Sequence, residues 1–138
     1  MSTTPAGIIG RPTPRIDGPL KTTGTAKYAT DFHIDGMVYA VPVIASVASG
    51  RIRSLDTSAA EKMPGVLLVL HHGNIGPLYR TVPGDGDATN SEVRSALEDE
   101  IVRHWGQYIA LVVADTFEQA TAAAAVVKAE FEAEKPNL

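Results

Sequence analysis

The chain has 138 residues, 44% of them hydrophobic and 20% charged, with a formal net charge of −4. That length suits one domain, and the balance suits a globular chain while disfavouring the basic footprint that nucleic acid or anionic lipid would require. With no cysteine, the chain offers no disulfide, thiolate zinc site, iron–sulfur ligation or cysteine nucleophile of its own.

Residues 1–24 are rich in Pro, Gly and Thr, and Pro5, Pro12, Pro14 and Pro19 favour extended backbone. An extended N-terminal arm is expected there, with one packed domain over residues 25–138. Met1–Gly10 lacks a basic region followed by an apolar run, so no export signal is expected. A cytoplasmic location is expected, or a periplasmic one if a partner subunit carries the chain across.

Met37–Val47, bounded by Gly36 and Gly50, is rich in Val, Tyr and Ile and predicts a strand. Its apolar stretch is far short of the ~20 residues needed to span a bilayer. Pro42 lacks an N–H, which predicts an edge position or a bulge. Ile52–Asp56 is a shorter strand. Ser58-Ala-Ala-Glu61 has the spacing of a capping box, with Thr57 as the rival cap. Pro64-Gly65 should stop that helix after about two turns. Val66–Leu70, a short continuous apolar run, predicts a buried strand.

His71–Glu100 reads as loop-dominated, with turn chemistry at Pro83–Asp87 and a short helix within Ser91–Glu98. Loops this long usually carry function or contact another domain. Ile101–Arg103 and Tyr108–Ala114 predict strands broken at Gly106. Thr116-Phe-Glu-Gln119 is a second capping box, with Asp115 adding negative charge at the helix start. The helix should run to about Lys128, with Phe117, Ala120, Ala124 and Val127 on one face. Ala129–Glu134 alternates as a half-exposed strand does. The layout strand, Asp-Thr, capped helix, strand occurs twice. Two such units plus extra strands predict an α/β or α+β sandwich with a mixed sheet.

Candidate chemistry is sparse. His33, His71, His72 and His104 could form a metal site if three converged, but adjacent His71 and His72 in a strand would face opposite ways. A surface loop and a core edge account better for these histidines. Asp85-Gly-Asp87-Ala-Thr89 begins like a calcium loop, but Asn90 and Ala96 stand where Gly and Glu are required. No phosphate-binding glycine pattern or nucleophile elbow occurs. Glu61 and Glu118 read as helix-start charges, and Glu98-Asp-Glu100 as a solvated loop face. No catalytic, cofactor-binding or metal-ligating residue is assigned.

An ordered set of segments nevertheless resembles one family. It runs through Arg15-Ile-Asp-Gly18, Lys21-Thr-Thr-Gly24, Ala26, Tyr28 and Asp31, then Gly36-Met-Val-Tyr-Ala40, Ser49-Gly-Arg-Ile52 and Asp56-Thr-Ser-Ala59. Pro64-Gly-Val66, Gly106-Gln107, Ile109–Ala114, Glu118, Ala120 and Glu130-Phe-Glu132 follow. Their order and spacing, from about Gly10 to Pro136, resemble the α/β hammerhead domain that opens the large subunit of molybdenum hydroxylases, the xanthine dehydrogenase and aldehyde oxidase family.

The resemblance implies an α+β, hammerhead-like fold. It also implies a role as one module of a subunit that hydroxylates aldehydes or aromatic heterocycles with water as the oxygen source. A molybdenum–pterin cofactor is implied for the full-length subunit, bound outside this chain, with [2Fe–2S] clusters and FAD in partner domains or subunits. From charge and apolar-run length, no nucleic-acid or membrane partner is expected. A homodimer through an exposed docking surface is a further expectation. Gln107 could hydrogen-bond a cofactor, but a strand entry in which Gln satisfies a loop is the plainer reading. His71-His-Gly-Asn74 departs from the Thr and Asp of many relatives and is similar to the bacterial aldehyde oxidase branch. Two other readings stand beside this one: a stand-alone interaction module that assembles with a separate molybdenum-containing chain, and a small metal-binding protein that uses the histidines.

Overall fold

The structure is a computed structural model, and it describes residues 12–78 and 94–135. The chain divides into two units, Met1–Gly36 and Met37–Leu138.

In the first unit an extended arm is expected, yet α1 spans Gly18–Thr22. Proline is tolerated in a first helical turn because the N–H it lacks would have no helical partner there. The hydroxyl of Thr23 donates to the Pro19 carbonyl (2.7 Å) and ends the turn. A 3₁₀ turn follows at Ala29–Asp31, where the Asp31 carboxylate accepts the Tyr28 N–H at 2.8 Å. Neither element buries a residue.

The second unit holds β1 (Tyr39–Ile44), β2 (Gly50–Asp56), α2 (Ser58–Glu61), β3 (Val66–His71), β4 (Ile101–Val102), β5 (Tyr108–Ala114), α3 (Phe117–Ala124) and β6 (Lys128–Ala133). Its strands form two three-stranded sheets, ordered β1-β5-β3 and β4-β2-β6. The α+β, hammerhead-like class stands. The ladders, however, are all antiparallel, where two strand-helix-strand units predict a mixed sheet. Each helix carries the chain from one sheet to the other: α2 joins β2 to β3, and α3 joins β5 to β6. Neither returns to its starting sheet, so no parallel neighbour forms.

Pro42 lies on an edge strand, opposite Leu111, and a register irregularity follows at Val43/Ile44. An edge strand tolerates the missing donor. β3 is also an edge strand, with Leu67 55% and Leu68 47% exposed. The expected buried strand is thus buried on one face alone. Gly50 has φ +147°, and a Cβ there would collide with the Glu132 carbonyl oxygen. Only glycine permits β2 and β6 to approach that closely.

Both helices are shorter than expected. α2 is a single turn whose cap position is Thr57 rather than Ser58. The Thr57 hydroxyl donates to Glu61 Oε1 (2.6 Å), while the Asp56 carboxylate accepts the Ser58 N–H at 3.0 Å. α3 carries the expected box: Gln119 N–H donates to Thr116 Oγ1 (3.2 Å) and Thr116 N–H to Gln119 Oε1 (3.1 Å). It ends at Ala124, short of Lys128, because β6 must start at Lys128 to pair with Asp56. Its buried residues are Ala120 and Ala123, and Phe117 is 56% exposed. Small residues on that face let α3 lie close on the sheet.

The core has two connected clusters. One joins Ala60, Val69, Ala110, Val112 and Ala123 between the helices and the first sheet. The other joins Ala45, Ile52, Val102 and Ile109 between the sheets, and Val43 and Leu55 pack against both. Each fully buried valine contributes roughly 1.5–3 kcal/mol.

Candidate functional site

The turn from β4 into β5, residues 103–107, gathers several polar groups of the second unit. Gly106 has φ +80°, a left-handed conformation that glycine adopts at no steric cost. Its N–H donates to the Ala45 carbonyl (3.0 Å), and the Ala45 N–H donates to the Gln107 carbonyl (2.8 Å). The turn is thereby fixed to the chain leaving β1. The Gln107 side chain reaches back along its own loop. Its Oε1 accepts the Arg103 N–H at 2.8 Å, and its Nε2 donates to the Ile101 carbonyl at 2.7 Å. Both ends of the amide are engaged by backbone, which is the loop-satisfying arrangement expected of a strand entry.

Below this turn lies an ion network. Arg103 grips Asp99 with two bonds, Nη2 to Oδ2 at 2.6 Å and Nη1 to Oδ1 at 3.0 Å. Arg94 Nη1 reaches Asp99 Oδ2 at 3.1 Å, and the Ile101 N–H donates to Asp99 Oδ1 at 3.0 Å. The Arg103 guanidinium, more than any other group, holds the Asp99 carboxyl below its ordinary 3.8, against the opposing effect of partial burial. The neighbouring Glu100 pairs with Arg51. Glu98–Glu100 is therefore not merely a solvated face: Asp99 organises the entry to β4. An open cleft of about 640 Å³ lies here, lined among others by Arg94, Arg103, His104, Gln107 and Tyr108. The sequence carried one signal of this network, the four-residue spacing of Asp99 and Arg103. Arg94, on the far side of an irregular segment, gave none.

Two of the histidines, His71 and His104, bond to backbone at turns. At the end of β3 the Asn74 Oδ1 accepts the His71 N–H (2.8 Å), and its Nδ2 donates to the Val69 carbonyl (2.7 Å). The Gly73 N–H donates to His71 Nδ1 at 3.1 Å, which requires a lone pair on that nitrogen. Burial, then the neighbouring His72, hold the His71 imidazole below its ordinary 6.5, with Glu61 opposing. The expected opposite orientation of His71 and His72 gives way to rings 5.7 Å apart, because His72 lies in the turn beyond the strand. His104 Nδ1 sits 3.1 Å from the Trp105 carbonyl, and His33, in the first unit, is exposed. Among the described residues, no three of His, Asp and Glu converge as metal ligands. Glu118 is exposed in the first turn of α3. The Pro83–Asp87 turn and the Asp85–Thr89 loop lie outside the described residues, as do Met1–Gly10 and the start of the Ser91–Glu98 helix. Residues 94–98 are not helical. Among the described residues, no helix is long and apolar enough to cross a membrane.

Comparison with known proteins places the chain among relatives. The family model "Aldehyde oxidase and xanthine dehydrogenase, a/b hammerhead domain" matches residues 23–135. The aldehyde oxidoreductase molybdenum-binding subunit PaoC of Escherichia coli (strain K12) is 46% identical over 130 residues, covering 93% of this chain and 17% of that protein. The nicotine 6-hydroxylase large subunit of Paenarthrobacter nicotinovorans is 33% identical over 127 residues, covering 91% of this chain and 16% of that protein. Among solved structures, the aldehyde oxidoreductase from Desulfovibrio gigas superposes with a TM-score of 0.69 at 34% identity, covering 88% of this chain and 14% of that chain. Reconstituted CO dehydrogenase from Oligotropha carboxidovorans superposes at 0.73 with 32% identity, covering 89% of this chain and 15% of that chain. The chain spans less than a fifth of the length of these relatives. It belongs to the aldehyde oxidase and xanthine dehydrogenase family and carries that family's a/b hammerhead domain.

Proposed function

We propose that this chain is the hammerhead module of the molybdenum-cofactor-binding subunit of an oxidoreductase that hydroxylates aldehydes or aromatic heterocycles, with aldehydes the first substrates to test. The observation that carries the reading is the 46% identity, over 93% of the chain, to a molybdenum-binding subunit of an aldehyde oxidoreductase. The module is assigned to residues 25–138, with residues 1–24 leading into it. A family match beginning at residue 23 supports that boundary.

Within the assembled enzyme the module has a scaffold role. Two polar side chains beside the cleft are already committed within the module, which supports this role: the Gln107 amide is engaged by the Ile101 and Arg103 backbone, and Arg103 by Asp99. We therefore assign no catalytic, cofactor-binding or metal-ligating residue to this chain. The cofactor belongs to the remainder of the subunit, where it supplies hydroxylation with water as the oxygen source. Iron–sulfur and FAD subunits are the expected partners, and the cytoplasm the expected compartment.

The test is to purify the molybdenum-binding subunit containing this module together with its partner subunits. Stoichiometric molybdenum and aldehyde-dependent dye reduction are expected. The 138-residue chain alone should give no turnover above a cofactor-free control. Turnover by the isolated chain, or an assembly without molybdenum, would overturn the reading.

A further inference from the structure

The first sheet has one face against the helices and one that, among the described residues, neither core cluster covers. The ladder registers place two rows on the second face. Leu68 lies opposite Val113, which lies opposite Ala40, and Leu70 lies opposite Leu111, which lies opposite Pro42. Strand pleating puts these residues on the side away from Val69, Val112 and Ala110, which pack against α3. None of the six belongs to either core cluster. Leu68 is 47% exposed, and Leu111 and Val113, although on the central strand, are only half-buried. None of the six is polar or charged. A contiguous apolar face of this kind marks an interaction surface.

The chemistry of the face narrows its occupant. With no donor, acceptor or charge on the side chains of either row, it cannot recognise an anion, a nucleic acid or a charged peptide. It matches an apolar protein surface and excludes water from it. The relative PaoC leaves more than four-fifths of its length outside the match, so in that subunit a module like this one is joined to a far larger body. We infer that the outer face of the β1-β5-β3 sheet docks against an apolar surface of the cofactor-carrying remainder of the molybdenum-binding subunit. This inference rests on the functional reading above and names the partner surface of the module.

The absence of cysteine from this chain makes Leu68→Cys a single reporter within it. In the assembled subunit, maleimide labelling at position 68, mapped by mass spectrometry, should be slower than in the isolated chain by about tenfold or more, because buried interface positions exclude solvent. Leu68→Asp should leave the melting temperature of the isolated chain unchanged. In the assembly it should lower the yield of soluble, molybdenum-loaded subunit by about tenfold, since an unpaired charge would be buried. Equal labelling of the Leu68→Cys variant in both forms would overturn the inference. So would a dimer of the isolated chain that Leu68→Asp dissociates, which would make a second copy the occupant. A loss of melting temperature in the isolated Leu68→Asp chain would also overturn it, by showing that the chain's own residues cover the face. Absence of molybdenum from the wild-type assembly would instead defeat the functional reading, while the labelling ratio would still decide the docking face.

Discussion

The two sheets of the second unit solve the same problem in opposite ways. In the β4-β2-β6 sheet one face meets the core through Ile52, Val102 and Phe131. Its other positions are mainly polar or charged: Arg51 lies between Glu132 and Ile101 and pairs with Glu100, and Ser54 lies opposite Glu130. That face is finished for water. The β1-β5-β3 sheet buries one face under α3 and leaves leucine, valine and proline on the other. The same strand-helix-strand plan supplies both, so the difference lies in which side chains alternate with the core positions. Outer-face chemistry, not topology, separates a surface adapted to solvent from one adapted to a partner.

Substitutions can test that contrast. The largest effect is expected at Gly50, where alanine would force a Cβ against the Glu132 carbonyl at a backbone angle few side chains adopt. Gly50→Ala should cost roughly 3 kcal/mol in chemical denaturation, and an unchanged midpoint would show that β2 and β6 are not held at that distance. In the other sheet, Val112→Ala removes a fully buried side chain and should cost roughly 2 kcal/mol by the same measurement. A cost near zero would mean that the helix-facing side of β5 is not the core.

Gln107→Ala tests the turn that leads from one sheet into the other. It deletes two hydrogen bonds to backbone and should cost about 1–2 kcal/mol. In the assembled enzyme it should leave molybdenum content and turnover unchanged, and a loss of cofactor would restore a direct role for the amide. Acid should weaken the β3 turn next. The His71 imidazole is held below 6.5 in the folded chain, so between that folded value and 6.5 the unfolded chain binds more protons. Stability present above pH 6.5 is therefore lost as pH falls. A melting temperature that is flat across this window in wild type, and identical in His71→Gln, would contradict the assignment. The smallest effect belongs to the charged outer face: Arg51→Ala breaks an exposed pair and should cost about 0.5 kcal/mol or less. A larger loss would show that this face is not merely solvated.

Much of this plan was legible from local patterns. β5 coincides with its apolar run, Pro42 marked an edge strand, and Thr116-Phe-Glu-Gln119 formed the capping box that its spacing demands. These are features that near neighbours in sequence decide. The division into two sheets was not legible, because β1 pairs with β5 and β2 with β6 across long intervening segments. The early end of α3 was hidden for a related reason: alanines favour helix through residue 125, and the pairing of Lys128 with Asp56 overrides them. The Asp99 network was missed because its second arginine comes from an irregular segment with no periodicity to read.

The crossing of α3 between sheets has a temporal side. β5 is the central strand of one sheet, and β6 completes the other. Both are made late, while β1, β2 and β3 emerge from the ribosome first. Until β5 is synthesised, β1 and β3 lack their antiparallel partner and β2 has only the two-residue β4, and the leucines of β3 are exposed on both sides. Contacts so distant in sequence close slowly. The nascent module therefore passes through an interval in which its edges are at their most adhesive, and assembly must await the strand that arrives last.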